Sequence, residues 1–453
     1  MLRLKNARLF IAFSLIVGAC TPAAAPAPVV AVPTEAPKPT AAPVVAVPTE
    51  APEPTDAPVV PTEIVYWDHF DASIQKEALA QAELFNASQS AIKVVEQGFP
   101  AEFNLPVWVD PKSGPDIASI GVGQMWDLSA QGALVALDTL PGYSETTRNI
   151  PADLLKSMTA DDGHVYAIPY VGSAVMMAYN KKLFAEAGIS TPPATWSEAL
   201  AACKKLSNKD KGQFGWTFGN WGLYGGDWWM PLFHFDDYYM NAAGNRDWVE
   251  KTGEVHLTDS SAAKDTLKFF KSVGDSGCTP RATDLDFPAL FKQGKVGMAD
   301  MLPVLATGLD ETTYGLAPLP VPDYKAGTHA MSDAGFGTFA IFARSAHPEE
   351  TFSFLSWLVG DADRAVERIA GTARLPVRTD IATNEKIQAA LKGDWVVKSF
   401  AAEVPFGRGV LPLSNQQAVY LALSKEIQAV MTGVKTVDQA LVDAEVAIKA
   451  EFP

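Results

Sequence analysis

Cysteine is scarce: the 453 residues hold three, none spaced as C-x-x-C, which excludes a cysteine-built zinc site and a thioredoxin-like redox motif. Positive charge is also short. Lys and Arg number 36 against 52 Asp and Glu, a net charge of −16, and no long Lys/Arg run is present. A nucleic-acid face or an anionic-membrane face is therefore not expected. The apolar run near the N-terminus, Leu9 to Ala19, is eleven residues and too short to cross a bilayer. No G-x-S-x-G elbow, H-E-x-x-H helix, Walker loop, G-x-G-x-x-G or complete EF-hand loop occurs, so the common motif-bearing enzymes lack support and no cofactor or metal is expected. What remains is 48% hydrophobic and 19% charged, the composition of an ordinary globular chain, long enough for two or three domains.

Arg3, Lys5 and Arg8 precede the Leu9 to Ala19 run, the layout of a secretory signal over residues 1–19. The run ends in Val17-Gly18-Ala19-Cys20, which resembles the bacterial lipobox and implies a lipid anchor on Cys20. Residues 20–61 then carry twelve of the 33 prolines and no aromatic residue, and the string Ala27 to Pro37 recurs unchanged at Ala42 to Pro52. Such a segment cannot bury enough apolar surface to fold. It reads as a tether holding a globular domain clear of a membrane.

From residue 62 onward, short strand-like runs alternate with helical patterns. Strands are expected at Glu63 to Trp67, Ile92 to Val95, Ile117 to Ile120, Ala174 to Tyr179, Val296 to Met301 and Phe336 to Phe342. Between them, Ile74, Ala78, Ala82 and Phe85 form a helical stripe, Thr195-x-x-Glu198 is a capping box, and Ala263, Leu267, Phe270 and Val273 form a second stripe. A further helix follows His347-Pro348-Glu349-Glu350. This alternation predicts an α/β protein with mainly parallel sheet, and its length predicts two lobes.

Several stretches together resemble the extracellular solute-binding proteins of ABC importers, in the family that includes the maltodextrin-binding proteins. The most specific is Asp162 to Leu206, DGHVYAIPYVGSAVMMAYNKKLFAEAGISTPPATWSEALAACKKL. Leu290 to Met298, Tyr314 to Pro320, Gly335 to Leu358, Leu375 to Arg378 and Gly433 to Ile448 follow in the family's order. The resemblance covers about residues 62–453. It implies a two-lobed periplasmic-binding-protein fold with three interlobe crossings and a central ligand cleft. The lobes would comprise 62–174 with 300–336, and 178–297 with 340–453. Crossings are expected near Ala174 to Met177, Met298 to Asp300 and Gly337 to Ala340. The implied function is capture of a carbohydrate, an oligosaccharide, and its delivery to an ABC transporter permease by a monomeric receptor that touches the membrane through its lipid alone and binds no nucleic acid.

Ligand contacts are expected where strands end and aromatic residues gather. Gly215 to Tyr239 holds four of the eleven tryptophans, and aromatic faces stack on pyranose C–H faces. The resemblance implies Trp228 as a stacking ring, because the Trp228-Trp229 pair falls within a residue or two of a stacking aromatic of the maltodextrin relatives, with Asp227 before it as a hydroxyl partner. Trp216 and Trp229 read as core. Tyr420 falls close to a second stacking aromatic of those relatives, and a helix residue facing the core is the equal alternative. Trp67, Asp68, His69 and Asp71 follow the first strand, Gln124 follows the third, with Trp126 and Asp127 next in line. Ser173, Asp300 and Phe336 lie at the expected crossings. Residues that grip glucose in the maltodextrin relatives align here with Gly123, Gln124, Ser173 and Ile120, which makes maltose itself doubtful. A secreted glycoside hydrolase and a receptor for a non-sugar solute stay open as alternatives, although Asp236-Asp237 is an adjacent pair with no demonstrable spacing across a bond and reads equally as a polar loop. An adhesin and a metal-capture reading on Tyr238-Tyr239, which resembles the tyrosine pair of ferric-ion receptors, are the weaker ones. Export permits a Cys203–Cys278 bridge, and a well-packed lobe equally accommodates two buried thiols.

Overall fold

The first strand shows how side-chain alternation builds two layers at once. Along Thr62–Trp67, Ile64 and Tyr66 enter a cluster with Ala78, Ala82 and Phe85 of helix Ala72–Ser88 and Phe352, Phe354, Leu355 and Leu358 of helix Pro348–Gly360. Trp67 points the other way, into a cluster with Val122, Met125, Trp126 and Leu128 of helix Val122–Ala130. Period-two alternation thus gives the sheet a helix layer on each face.

The computed structural model describes residues 60–68, 72–98, 108–110, 112–172, 174–217, 235–244, 247–280, 287–333, 336–372, 375–380, 383–403, 406–408, 413 and 415–452. In chain order the strands are β1 (Thr62–Trp67), β2 (Ile92–Glu96), β3 (Ile117–Gly121), β4 (Ile168–Gly172), β5 (Met176–Asn180), β6 (Phe214–Thr217), β7 (Val296–Met301), β8 (Tyr314–Ala317), β9 (Ser332–Asp333), β10 (Phe336–Ile341), β11 (Leu375–Pro376) and β12 (Gly407–Arg408). One sheet runs β11-β4-β10-β3-β1-β2, another β6-β7-β5-β8, and β12 pairs with β9. The six expected strands all form. The expectation of mainly parallel sheet is corrected. β1 is parallel to β2 and β3, and β6 to β7, but β10 lies antiparallel between β3 and β4, and β5 is antiparallel to both neighbours. The physical reason is that β10 returns from the four-stranded sheet and enters the six-stranded one from the opposite end.

The four-stranded sheet repeats the two-layer logic. Val175 and Met177 face a cluster built with helices Trp196–Leu206, Ser261–Ser276, Gln416–Met431 and Val437–Lys449, whereas Met176 and Ala178 face one that includes Ile387, Val396, Val397 and Phe400. Sheet membership changes between β4 and β5 and again between β8 and β10, and after β11 helices Glu385–Gly393 and Trp395–Glu403 pack back on the four-stranded sheet. Of the expected crossing points, the first coincides with one of these passages. Met298 to Asp300 lies inside β7 and Gly337 to Ala340 inside β10, each well within one sheet. Likewise residues 300–336, expected with the first lobe, carry β8 of the four-stranded sheet, and helix Pro348–Gly360, expected with the second, packs on the six-stranded one. The two passages lie side by side, since Val175 N–H donates to Ser332 Oγ at 3.2 Å, and β9 around Ser332 also pairs with β12.

Cys203 and Cys278 are bridged, joining helix Trp196–Leu206 to the segment after helix Ser261–Ser276. No helix among the described residues is long and apolar enough to cross a membrane. Cys20 and the segment 20–61 up to residue 59 lie outside the described residues.

Candidate functional site

The carboxyl end of β1 delivers Asp68, which is buried and accepts the Tyr66 hydroxyl at 2.7 Å. Beside it, β2 ends in Glu96, whose carboxyl is pushed up to about 7 by burial first and then by the charge of Asp68. Gln97 accepts the Trp67 indole N–H at 3.5 Å, and Trp67 packs edge-on against Trp108. After β3, Gln124 accepts the Gly121 N–H at 2.9 Å, so its carbonyl caps its own helix. This edge of the six-stranded sheet therefore offers carboxylates and aromatic rings where strands hand over to helices, the usual place for ligand in an α/β fold.

The other sheet presents two aspartates built alike. Asp300, on β7 and partly exposed, accepts Trp216 Nε1 at 3.1 Å and the Tyr238 hydroxyl at 3.0 Å. Asp236, opening helix Asp236–Ala243, accepts Trp248 Nε1 and the Tyr420 hydroxyl, the latter at 2.7 Å. Burial, followed by the charge of Asp300, raises Tyr238 well above its ordinary value, so this phenol is a proton donor at any physiological pH.

Among the described residues, one contact between the lobes is a helix pair. Helix Val122–Ala130 faces the N-terminus of helix Gln416–Met431, and the Asp127 carboxylate accepts the backbone N–H of Gln416. Burial raises Asp127 to about 7, an effect the Gln416 N–H partly offsets. At the rim, Lys251 Nζ lies 3.7 Å from the centre of the Trp126 ring and 3.7 Å from Asp161 Oδ1. Lys251 sits on the hairpin closed by the Val249–Val255 bridge, where Glu250 and Glu254 flank the buried His256. These three bring potential metal-ligand atoms within 4.8 Å of one another, yet His256 Nε2 already meets Glu250 at 3.2 Å and its Nδ1 faces Asp259 at 3.6 Å, an ion-pair cluster.

Asp68, Glu96 and Gln124 gather on one sheet edge, and Asp300 stands on the other sheet. Trp67 is 4% exposed, and Tyr420, expected to stack on a ligand, is fully buried with its hydroxyl on Asp236. The correction for Tyr420 has a plain cause: it lies on the face of its helix that packs against Trp248. Tyr238 and Tyr239 are equally buried, so the tyrosine pair does not present itself to a metal. Trp216 is core, as expected. His69, Asp71, Ser173, Asp227 and Trp228 lie outside the described residues, as does the side chain of Phe336. Sequence reasoning passed over Glu96 and Lys251; a carboxylate closing a strand, as in Ile92-Lys93-Val94-Val95-Glu96, was the available signal for the first.

A profile of the bacterial extracellular solute-binding protein family matches residues 109–392. The chain belongs to that family. This solute-binding protein is 28% identical over 391 residues to a candidate binding protein of Brucella abortus (strain 2308), covering 81% of the chain and 89% of the relative. It is 30% identical over 168 residues to the sn-glycerol-3-phosphate-binding periplasmic protein UgpB of Agrobacterium fabrum, 34% of this chain and 38% of that one. Its fold matches the cyclic alpha-maltosyl-1,6-maltose binding protein of Arthrobacter globiformis with a TM-score of 0.69 at 23% identity, covering 87% of this chain and 99% of the other. The GacH receptor of Streptomyces glaucescens matches with a TM-score of 0.73 at 20% identity and the same coverage. The solute-binding protein is thus a receptor by family, with a two-lobed fold.

Proposed function

We propose that this protein captures a carbohydrate between its lobes and delivers it to the permease of an ABC importer, held at the outer face of the membrane by a lipidated Cys20. The observation that carries the solute class is the pairing of Asp68 and Asp300 with aromatic donors. Asp68 accepts the Tyr66 hydroxyl, Asp300 accepts the Trp216 indole N–H and the Tyr238 hydroxyl, and Glu96 closes the strand beside Asp68. An edge of this charge repels an anionic solute. That favours a neutral sugar over the glycerol phosphate of the UgpB relatives, and structural neighbours named for maltosyl and acarbose ligands lend support. In this reading Trp228 supplies the stacking platform, Asp227 accepts from sugar hydroxyls, His69, Asp71, Gln124 and Ser173 lie around it, and the receptor works as a monomer without turnover.

The test is a thermal-shift screen of mono- and oligosaccharides with sn-glycerol-3-phosphate alongside. A solute at a hundred times its dissociation constant adds about 2.7 kcal/mol. A sugar is expected to stabilise the protein, and Trp228→Ala to weaken that sugar by about thirtyfold, the equivalent of about 2 kcal/mol. Stabilisation by glycerol phosphate alone overturns the sugar assignment. Turnover of a stabilising oligosaccharide overturns the receptor assignment.

A further inference from the structure

Helix Gln416–Met431 starts without the usual help. Its N-cap residue, Asn415, makes no side-chain cap bond; the Asn415 amide instead donates to the Glu451 carbonyl at 2.6 Å. A 16-residue helix left so would expose its first N–H groups, which ordinarily costs about 1 kcal/mol. The missing acceptor comes from the other lobe: the carboxylate of Asp127 takes the Gln416 N–H. A negative group at that position also suits the helix dipole.

The same junction has been cleared of side chain. A Cβ on Gly123 would sit 1.3 Å from Gln416 Oε1, and its three nearest atoms all belong to the Gln416 side chain. The space Gly123 leaves is filled by Gln416, which is 3% exposed. Lys251, reaching from the second lobe to Trp126 and Asp161, adds a third contact on the rim.

We propose that Asp127 caps helix Gln416–Met431 in trans, and that Asp127, Gly123, Gln416 and Lys251 together form an interlobe lock that engages when the lobes close. Opening withdraws the cap and re-exposes the helix start, so the energy of the cap is available only to the closed form. These are positioning residues for solute capture. The inference rests on the two-lobed fold and not on the identity of the solute.

Two experiments on solute-free full-length protein test it. In Gly123→Cys/Gln416→Cys the two Cβ atoms lie about one glutamine side chain apart, near the roughly 4 Å that a disulfide needs. Mild oxidation should yield a bridged 123–416 peptide in the unreduced digest and a smaller radius of gyration than the same protein reduced. In the oxidised double-cysteine protein, where the bridge holds the lobes closed, adding Asp127→Ala should raise amide exchange over residues 416–419 about fivefold, matching a lost cap of about 1 kcal/mol, and Asp127→Asn, which keeps an acceptor oxygen, should restore much of the protection. A double-cysteine variant that melts like wild type yet forms no bridge overturns the lock. Unchanged exchange on adding Asp127→Ala to the bridged protein overturns the trans cap, whatever sugar the protein binds.

Discussion

Removing the Cys203–Cys278 bridge should weaken the second lobe without altering its fold. The cysteines are 75 positions apart, and closing a loop of that length restricts the unfolded chain by about 4.5 kcal/mol at 25 °C in the chain-entropy description. The neighbourhood tolerates the loss. Ser207 Oγ donates to the carbonyls of both cysteines, at 3.0 and 3.2 Å, and Gly215 N–H donates to the Cys278 carbonyl at 2.9 Å, so backbone bonds hold the site. Close packing there is backbone on backbone: a Cβ on Gly215 would stand 1.8 Å from the Cys203 oxygen. Both cysteines are buried, and alanine fits each position with a small void. Cys203→Ala/Cys278→Ala should therefore melt about 5 °C below wild type if the folded unit of roughly 400 residues melts as one, or about 10 °C below if the lobe melts alone. Differential scanning calorimetry of wild type, the variant, and wild type unfolded and refolded in reductant reads this. Three coincident melting curves, or two alkylatable thiols at these positions in the unreduced denatured protein, would refute the reasoning.

Other outcomes follow from the same contacts. Cys20→Ser should move the protein from the membrane fraction to the soluble one at unchanged melting temperature, as fractionation and calorimetry would report. Tyr420→Phe removes a donor from buried Asp236 and should cost about 1–2 kcal/mol in urea unfolding, with the m-value unchanged. Glu96 and Asp127, both raised to about 7 by burial, hold protons that the unfolded chain has already lost. Their contribution is full below about pH 4 and is lost as pH rises through 7. Discounted for partial exposure, that is about 1 kcal/mol each between pH 8.5 and 5.5. The melting temperature should thus be about 2 °C higher at pH 5.5, and Glu96→Gln/Asp127→Asn should flatten the difference.

Six of the twelve described strands were legible because each is a short apolar run bounded by turn residues, and the matching segments from Asp162 onward made the family legible as well. β4 escaped because Ile168-Pro169-Tyr170-Val171-Gly172 contains the residue least suited to a sheet interior. The structure accommodates Pro169 where the register of β10 shifts between Gly337 and Thr338, a feature only the partner strand reveals. The site was less legible for a related reason. Whether Tyr420 meets solute or core depends on Trp248 and Asp236, and what fills the space at Gly123 depends on a glutamine nearly three hundred residues away. Local pattern carries no information about a partner that distant in the chain.

The two passages between the sheets, tied by the Val175 to Ser332 bond beside the β9–β12 pairing, amount mechanically to a ribbon. A ribbon flexes readily across its flat face and resists bending in its own plane or being wrung. Removing the Ser332 hydroxyl would separate the two passages and loosen that preference.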